Sequence, residues 1–312
     1  MKIGFWGTPR IASYCLEALR ANHEIRFVVT PPDKYAGRNN RLTPPSAKQT
    51  ALKWNIPVLQ PEKLKDSSFI DKIAAFNADI FVVVAYGKLI PPEIFNHPPL
   101  KTINLHPSLL PKYRGAAPIP WVIINGEKET GITVQLINEK MDAGDIVLQK
   151  KIPLDDMISA EDLYNMVLPK GAALIDEAIK LLASGTHTPI KQSDDDATFC
   201  GKITRDTARI NWNSPARSIH NLVRGLNPKP AAWTTFRGSD IKIFGTAVLE
   251  GAPELEKIPE AGEIIRYQKK RVIAGTSSLL LEILELQPEA KKRMNALSFI
   301  NGYRLEGESR FI

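Results

Sequence analysis

Asn104 and His106 stand two positions apart where the strand-like segment Lys101–Ile103 runs into Pro107 and Pro111. On a strand, residues two apart share a face. The prolines end any regular element and stiffen the chain that follows. An amide donor and an imidazole therefore lie side by side at the carboxyl end of a strand, where open α/β sheets bind their ligands. A third polar group, Asp142, sits in the glycine-containing loop Asn138–Asp145. Singly, such a His is most often packed or hydrogen-bonded, and such an Asp is ordinary turn chemistry. Together they suit acyl transfer. The amide and a protonated imidazole donate to an oxyanion. A carboxylate, Asp142 or Asp145, orients the imidazole and helps take a proton from an attacking amine.

The chain lacks other routes to that chemistry. It has no G-x-S-x-G nucleophile elbow, and no H-E-x-x-H or other metal-ligand spacing. Cys15 and Cys200 are its two cysteines, too few for a disulfide framework or a thiolate cluster. Direct transfer, without a metal or a covalent enzyme intermediate, is the expectation. No G-x-G-x-x-G follows the first strand-like segment, so a dinucleotide cofactor is not expected.

The elements that must hold these groups follow from patterning. Lys2–Trp6 reads as a buried strand, Arg10–Ala21 as an amphipathic helix and Glu24–Val29 as a second strand, a β-α-β opening. Ile80–Ala85 is a continuous apolar run, as a strand covered on both faces requires. Gly131–Ile137 and Ile146–Lys150 form a strand pair, and Ala160–Ala183 is a long helix. From Thr188 to Asp206 the chain turns polar, and beyond it short strand-like segments recur between glycines. The predicted fold is α/β, a doubly wound, Rossmann-like, mostly parallel sheet followed by a small OB-like β-barrel. The predicted domains are a catalytic domain over 1–189, a linker over 190–207 and a C-terminal domain over 208–312.

With 312 residues the chain has room for two domains, and 43% hydrophobic with 24% charged residues is globular composition. No apolar run approaches the roughly 20 residues that span a bilayer, and the N-terminus resembles no targeting segment. A cytoplasmic protein is expected. A net charge of +7 hints at a polyanionic partner. The stretch between Pro31 and Pro45 is long for a connection and carries Lys34, Arg38 and Arg41 beside Tyr35 and Gly37.

The run Asn104–Gly115, with Met141–Asp145, resembles the signature of the 10-formyltetrahydrofolate-dependent formyltransferases. The resemblance implies 10-formyltetrahydrofolate as formyl donor, no metal, and catalytic roles for Asn104, His106 and Asp142. It implies a folate cleft bounded by Ser108, Leu109, Leu110 and Pro111 on one side and Tyr86, Gly87 and Leu89 on the other. Within the family the likeness extends over essentially the whole chain to the member acting on methionyl-tRNA. Pro32–Arg38 resembles an inserted loop that meets the tRNA acceptor end, with Arg38 as its critical residue. Tyr35 departs from the proline common there. Asn227–Pro230, Trp233 and Lys291–Met294 are similar to that member's C-terminal domain. Lys269, Lys270, Arg271, Lys291, Lys292 and Arg293 then suit a phosphate backbone contacted without base readout. A monomer is expected.

Two alternatives carry different expectations. A formyltransferase acting on a UDP-aminoarabinose sugar would share the catalytic loops and the barrel, but has a shorter connection where Arg38 stands. A non-catalytic tRNA-binding protein would have no need of Asn104, His106 and Asp142 together.

Overall fold

In the computed structural model, which describes residues 1–36, 40–251, 255, 257–303, 305 and 309–312, the chain divides into two units. The first comprises Met1–Ala116, Glu129–Pro153 and Asn165–Cys200. Its strands are β1 (Lys2–Gly7), β2 (Glu24–Val29), β3 (Lys34–Ala36), β4 (Arg41–Thr43), β5 (Val58–Leu59), β6 (Ile80–Val84), β7 (Thr102–His106), β8 (Arg114–Gly115), β9 (Glu129–Leu136), β10 (Ile146–Pro153) and β11 (Phe199–Cys200). Seven of them form one sheet in the order β10-β9-β7-β6-β1-β2-β5. From β5 through β7 neighbours are parallel, while β9 and β10 turn antiparallel at the edge. Because β1 lies between β2 and β6, the winding reverses there. The carboxyl ends of β1 and β6 flank that switch point, the usual ligand position in such sheets, and β7 ends next to β6.

Apolar sequence makes the centre of this sheet. All five residues of β6 are buried, as the uninterrupted run Ile80–Val84 requires. Trp6, Phe27, Phe69 and Phe81 pack edge to face or tilted across it, with centroids 5.6–6.0 Å apart.

Two segments differ from their sequence expectation. The stretch 31–45 holds a hairpin, with Lys34 opposite Thr43 and Ala36 opposite Arg41. Its base is clamped by Lys48, whose Nζ donates to both Asp33 carboxylate oxygens (2.9 and 2.8 Å) and to Gln60 Oε1 (2.7 Å). Those hydrogen bonds from Lys48 and Gln60 hold the Asp33 carboxyl below its ordinary range. The segment 190–207 is not a free linker along its length. Ile190 bridges to Ile146, and β11 pairs in parallel with β8. Of this segment, residues 190–200 therefore belong to the first unit, and those from Gly201 on to the second.

The second unit comprises Ala117–Lys128, Leu154–Tyr164 and Gly201–Ile312. Its strands β12 (Ala232–Phe236), β13 (Ser239–Leu249), β14 (Ile264–Tyr267), β15 (Arg271–Gly275), β16 (Leu280–Pro288) and β17 (Met294–Asn295) form an antiparallel sheet ordered β12-β13-β16-β15-β14, with β17 on β16. The terminal residues join its two edges. Phe311 bridges to Phe236 beside β12, and Arg310 bridges to Glu263 just before β14. Ile264 N donates to Ser309 O (2.8 Å) and Ile312 N to Thr235 O (2.9 Å). The sheet thus closes into a small barrel, which removes the exposed edges an open sheet would leave. Ile243, Val272, Leu281, Ile283 and Leu286 fill it, and the helix Ala216–Gly225 adds Ile219 and Val223.

Candidate active site

The site grows from register. Asn104 on β7 lies opposite Gln135 on β9, and His106 lies opposite Thr133. Thr133 in turn faces Gln149 on β10. Period two therefore puts Asn104, His106, Thr133, Gln135 and Gln149 on one face of the sheet edge. Of these, His106, Thr133 and Gln135 are buried. Sequence reasoning singled out Asn104 and His106 and missed Thr133, Gln135 and Gln149. The signal was present: Thr133 and Gln135 are polar residues two apart that alternate with the apolar Ile132, Val134 and Leu136.

His106 Nε2 donates to Tyr113 O at 2.9 Å. A carbonyl accepts only, so Nε2 carries the proton and the neutral ring has its lone pair at Nδ1. That nitrogen faces Asp142 Oδ1 at 3.6 Å. Among the described residues nothing hydrogen-bonds the Asn104 carboxamide, which is partly exposed. The sequence expectation gave both Asn104 and His106 to the oxyanion. With Nε2 already engaged, the geometry suits Asn104 to that task and the His106–Asp142 pair to moving a proton.

Asp142 sits at φ 52°, a left-handed position that Asp tolerates better than most residues. Its Oδ2 accepts from Gly115 N (2.9 Å) and its Oδ1 from Gln135 Nε2 (3.1 Å). The turn folds back so tightly that a Cβ on Gly144 would stand 1.7 Å from Leu136 O. A side chain at Gly115 would likewise meet Cys200 O at 2.3 Å, so glycine there admits the close approach of β11.

A strap from residues 192–200 holds the loop that joins β7 to β8. Thr198 Oγ1 accepts from Tyr113 N (2.8 Å), and Cys200 Sγ donates to Tyr113 O (3.3 Å). Gln192, 7% exposed, reaches the Asp142 turn: its Nε2 donates to Gln135 Oε1 (3.0 Å), Asp142 O (3.0 Å) and Gly144 O (2.6 Å). Arg114, 3% exposed, donates to Gln192 Oε1 and to Asp194 Oδ1. The bond from Arg114, with Lys140 nearby, keeps the Asp194 carboxyl below its ordinary range. Sequence reasoning placed Gln192 and Asp194 in a linker and gave Arg114 no role of its own.

The residues expected around a folate divide by orientation. Ser108 is fully buried, and its Oγ donates to Lys112 O (2.6 Å), so this hydroxyl shapes the loop. Leu110 is also buried. The loop Ser108–Pro111 is pinned to β9 and β10: Thr133 Oγ1 donates to Ser108 O (2.7 Å) and Gln149 Nε2 to Leu110 O (2.7 Å). Leu109 and Pro111 are partly exposed. Tyr86 does not line an open wall. It is 2% exposed and T-shaped on Trp6 at 5.3 Å, and burial pushes its hydroxyl up to about 12. What the end of β6 offers outward is the Gly87 backbone, with open space where a side chain would be, and an exposed Leu89. Met141, beside Asp142, is exposed as well.

The basic residues also divide. Lys34 and Arg41 are exposed on the hairpin, and Arg38 lies outside the described residues. Lys269, Lys270, Lys291 and Lys292 are exposed on the barrel. Arg271 and Arg293 are committed: Arg271 is bidentate on Glu282 (2.7 and 2.5 Å), and Arg293 pairs with Glu285 (2.5 Å) over the Phe244 ring. Both acids lie on β16, a cross-strand relation that sequence spacing does not reveal. No helix among the described residues is long and apolar enough to cross a membrane.

Comparison with known proteins gives this arrangement a context. Residues 1–179 match the family described as formyl transferase, and residues 202–304 match the formyl transferase C-terminal domain. A methionyl-tRNA formyltransferase of Thermodesulfovibrio yellowstonii is 46% identical over 309 residues, covering 98% of each chain. One of Clostridioides difficile is 41% identical over 307 residues, again covering 98% of each. Among solved structures, WlaRD, a sugar 3N-formyl transferase crystallised in the presence of dTDP and 5-N-formyl-THF, superposes with a TM-score of 0.67 at 22% identity. That match covers 94% of this chain and 99% of the other, and at this identity it speaks for the fold alone.

Proposed function

The chain belongs to the formyl transferase family, and on that basis we propose that it transfers a formyl group from 10-formyltetrahydrofolate to the α-amino group of methionyl-tRNA. What carries the chemical half of this reading is one convergence: His106 Nδ1 and Asp142 Oδ1, 36 positions apart in sequence, lie 3.6 Å apart beside an uncommitted Asn104 amide. The acceptor half rests on the two relatives matched almost end to end.

The donor supplies an activated formyl carbon, and the residues present fit a folate. The Gly87 backbone is open, Leu89 and Met141 offer apolar surface, and the neighbouring loop Ser108–Pro111 is held rigid. Attack by the amine places negative charge on the formyl oxygen, to which Asn104 Nδ2 donates. Losing one such donor typically costs about 10²–10³ in rate. His106 takes the amine proton at Nδ1, and the carboxylate of Asp142 favours the cation so formed. The same Nδ1–H then donates to the departing nitrogen, returning the ring to its Nε2–H form. Tyr113 O keeps the imidazole oriented throughout.

The tRNA meets two surfaces in this proposal. Lys34, Arg38 and Arg41 position the acceptor end. The exposed Lys269, Lys270, Lys291 and Lys292 contact phosphates, while Arg271 and Arg293 are engaged in their ion pairs and add little. The test is to offer the purified chain methionyl-tRNA and an aminosugar nucleotide in parallel, each with 10-formyltetrahydrofolate. Formylation of the tRNA alone is expected. Formylation of the sugar at comparable kcat/KM would overturn the acceptor assignment.

A further inference from the structure

Gln192 lies outside the three-residue constellation, on a segment whose polar composition marks it as a connection. Yet its amide is buried and all of its hydrogen-bonding capacity is directed. The Oε1 accepts from Arg114 Nε (3.1 Å) and Nη2 (2.9 Å), and Arg has no acceptor of its own, so the amide orientation is fixed. The Nε2 must then face the other way, where Gln135 Oε1, Asp142 O and Gly144 O receive it. Accepting at Oε1, Gln135 turns its own Nε2 to Asp142 Oδ1. Each link donates in one direction, from a buried guanidinium to a carboxylate.

We propose that Gln192 is a positioning residue for Asp142: with Arg114 and Gln135 it forms a one-way chain of donors that holds the Asp142 turn in place and keeps its carboxylate aimed at His106. This rests on the formyl-transfer reading for its consequence in rate, though not for its consequence in structure. Two features separate it from general packing. The amide grips both carbonyls of the turn at once, and it reaches the carboxylate through a residue directly opposite Asn104. Strap and site are therefore one object. A segment some 50 residues beyond Asp142 decides where that carboxylate stands.

The test turns on Gln192→Glu. A carboxylate at this position still accepts both N–H groups of Arg114, so the strap stays anchored. It cannot donate to Gln135 or to the turn carbonyls, and its charge opposes that of Asp142. The charged and titratable groups around the turn are His106, which faces Asp142 directly, Glu139, Lys140 and Asp145 on the turn itself, Arg114 on β8 and Asp194 on the strap. Expected for Gln192→Glu is an intact melting transition, a kcat lower by about 10²-fold, the scale of a small misplacement of a reacting group, and a KM for folate little changed. A crystal structure of the variant should show the Asp142 turn displaced from His106, and Gln135→Met should reproduce the loss of kcat if Gln192→Glu folds poorly. Wild-type kcat together with an undisplaced Asp142 turn in these variants would overturn the positioning role. A wild-type protein that leaves methionyl-tRNA unformylated would instead sink the proposed function, and the position of the turn in the variants would still decide the donor chain.

Discussion

Gly144→Ala probes the geometry of the site at a point no substrate needs to touch. The added methyl would stand 1.7 Å from the carbonyl oxygen of Leu136, and side-chain carbons do not approach closer than 3.0 Å. That oxygen belongs to β9 backbone and cannot rotate aside, so the turn itself must retreat by about 1.3 Å, which a packed region resists. Overpacking of this kind costs about 1–3 kcal/mol. Such a retreat shifts the turn that carries Asp142, two residues earlier, and disturbs the bond by which Gln192 holds the Gly144 carbonyl at 2.6 Å. A displacement of about 1 Å at a reacting group costs on the order of 10²-fold in rate. Steady-state formylation of methionyl-tRNA and thermal unfolding, measured on the same preparation, should show kcat down by about that factor and Tm lowered modestly, with folate affinity nearly kept. Wild-type kcat with wild-type Tm would refute the tight turn as the device that places Asp142.

Asn104→Ala should lower kcat by about 10²–10³ while sparing the KM for folate; a loss expressed mainly in folate binding would make Asn104 a binding group instead. Arg38→Ala should weaken tRNA formylation and leave folate binding intact, and added salt should raise the KM for tRNA far more steeply than that for folate. Equal responses of the two substrates would remove phosphate contacts from the account. In the second unit, burial above all, with the nearby Arg224 and Arg217 charges, lowers the His220 pKa from 6.5, against the opposing Asp156 carbonyl and carboxylate. The unfolded chain therefore binds the proton first, so stability present above about pH 6.5 is lost as pH falls toward the folded value. Melting curves from pH 7.5 down to pH 5.5 should show this loss, and His220→Gln should flatten it; an unchanged pH slope in the variant would assign the effect elsewhere.

How much of this could be seen in the sequence follows the distance over which each feature is built. Asn104 and His106 share a face by period two alone, and the prolines around them announce the loop, so that half of the site was legible from ten residues. The buried run Ile80–Val84 likewise declared itself. The bonds of Gln192 to Gln135 and to Arg114 join residues 57 and 78 positions apart, and nothing in a polar stretch such as Gln192–Thr198 says that one of its side chains is buried. Tyr86 was misplaced for a related reason. A strand end points to a cleft, but which side of the chain faces it depends on where Trp6 packs. Cross-strand register hides the commitments of Arg271 and Arg293 in the same way, and the hairpin β3–β4 hid in a stretch whose composition reads as loop.

The central claim is that His106 and Asp142 act as one proton-handling unit on a carbonyl polarised by Asn104. A double-mutant cycle with His106→Ala, Asp142→Asn and both together, followed by kcat for methionyl-tRNA formylation, tests it most directly. Residues acting as a unit are strongly non-additive, so the double variant should fall scarcely further than the worse of the two single variants. Losses that multiply would mean that the two side chains work independently, and the 3.6 Å approach between them would then have no catalytic meaning.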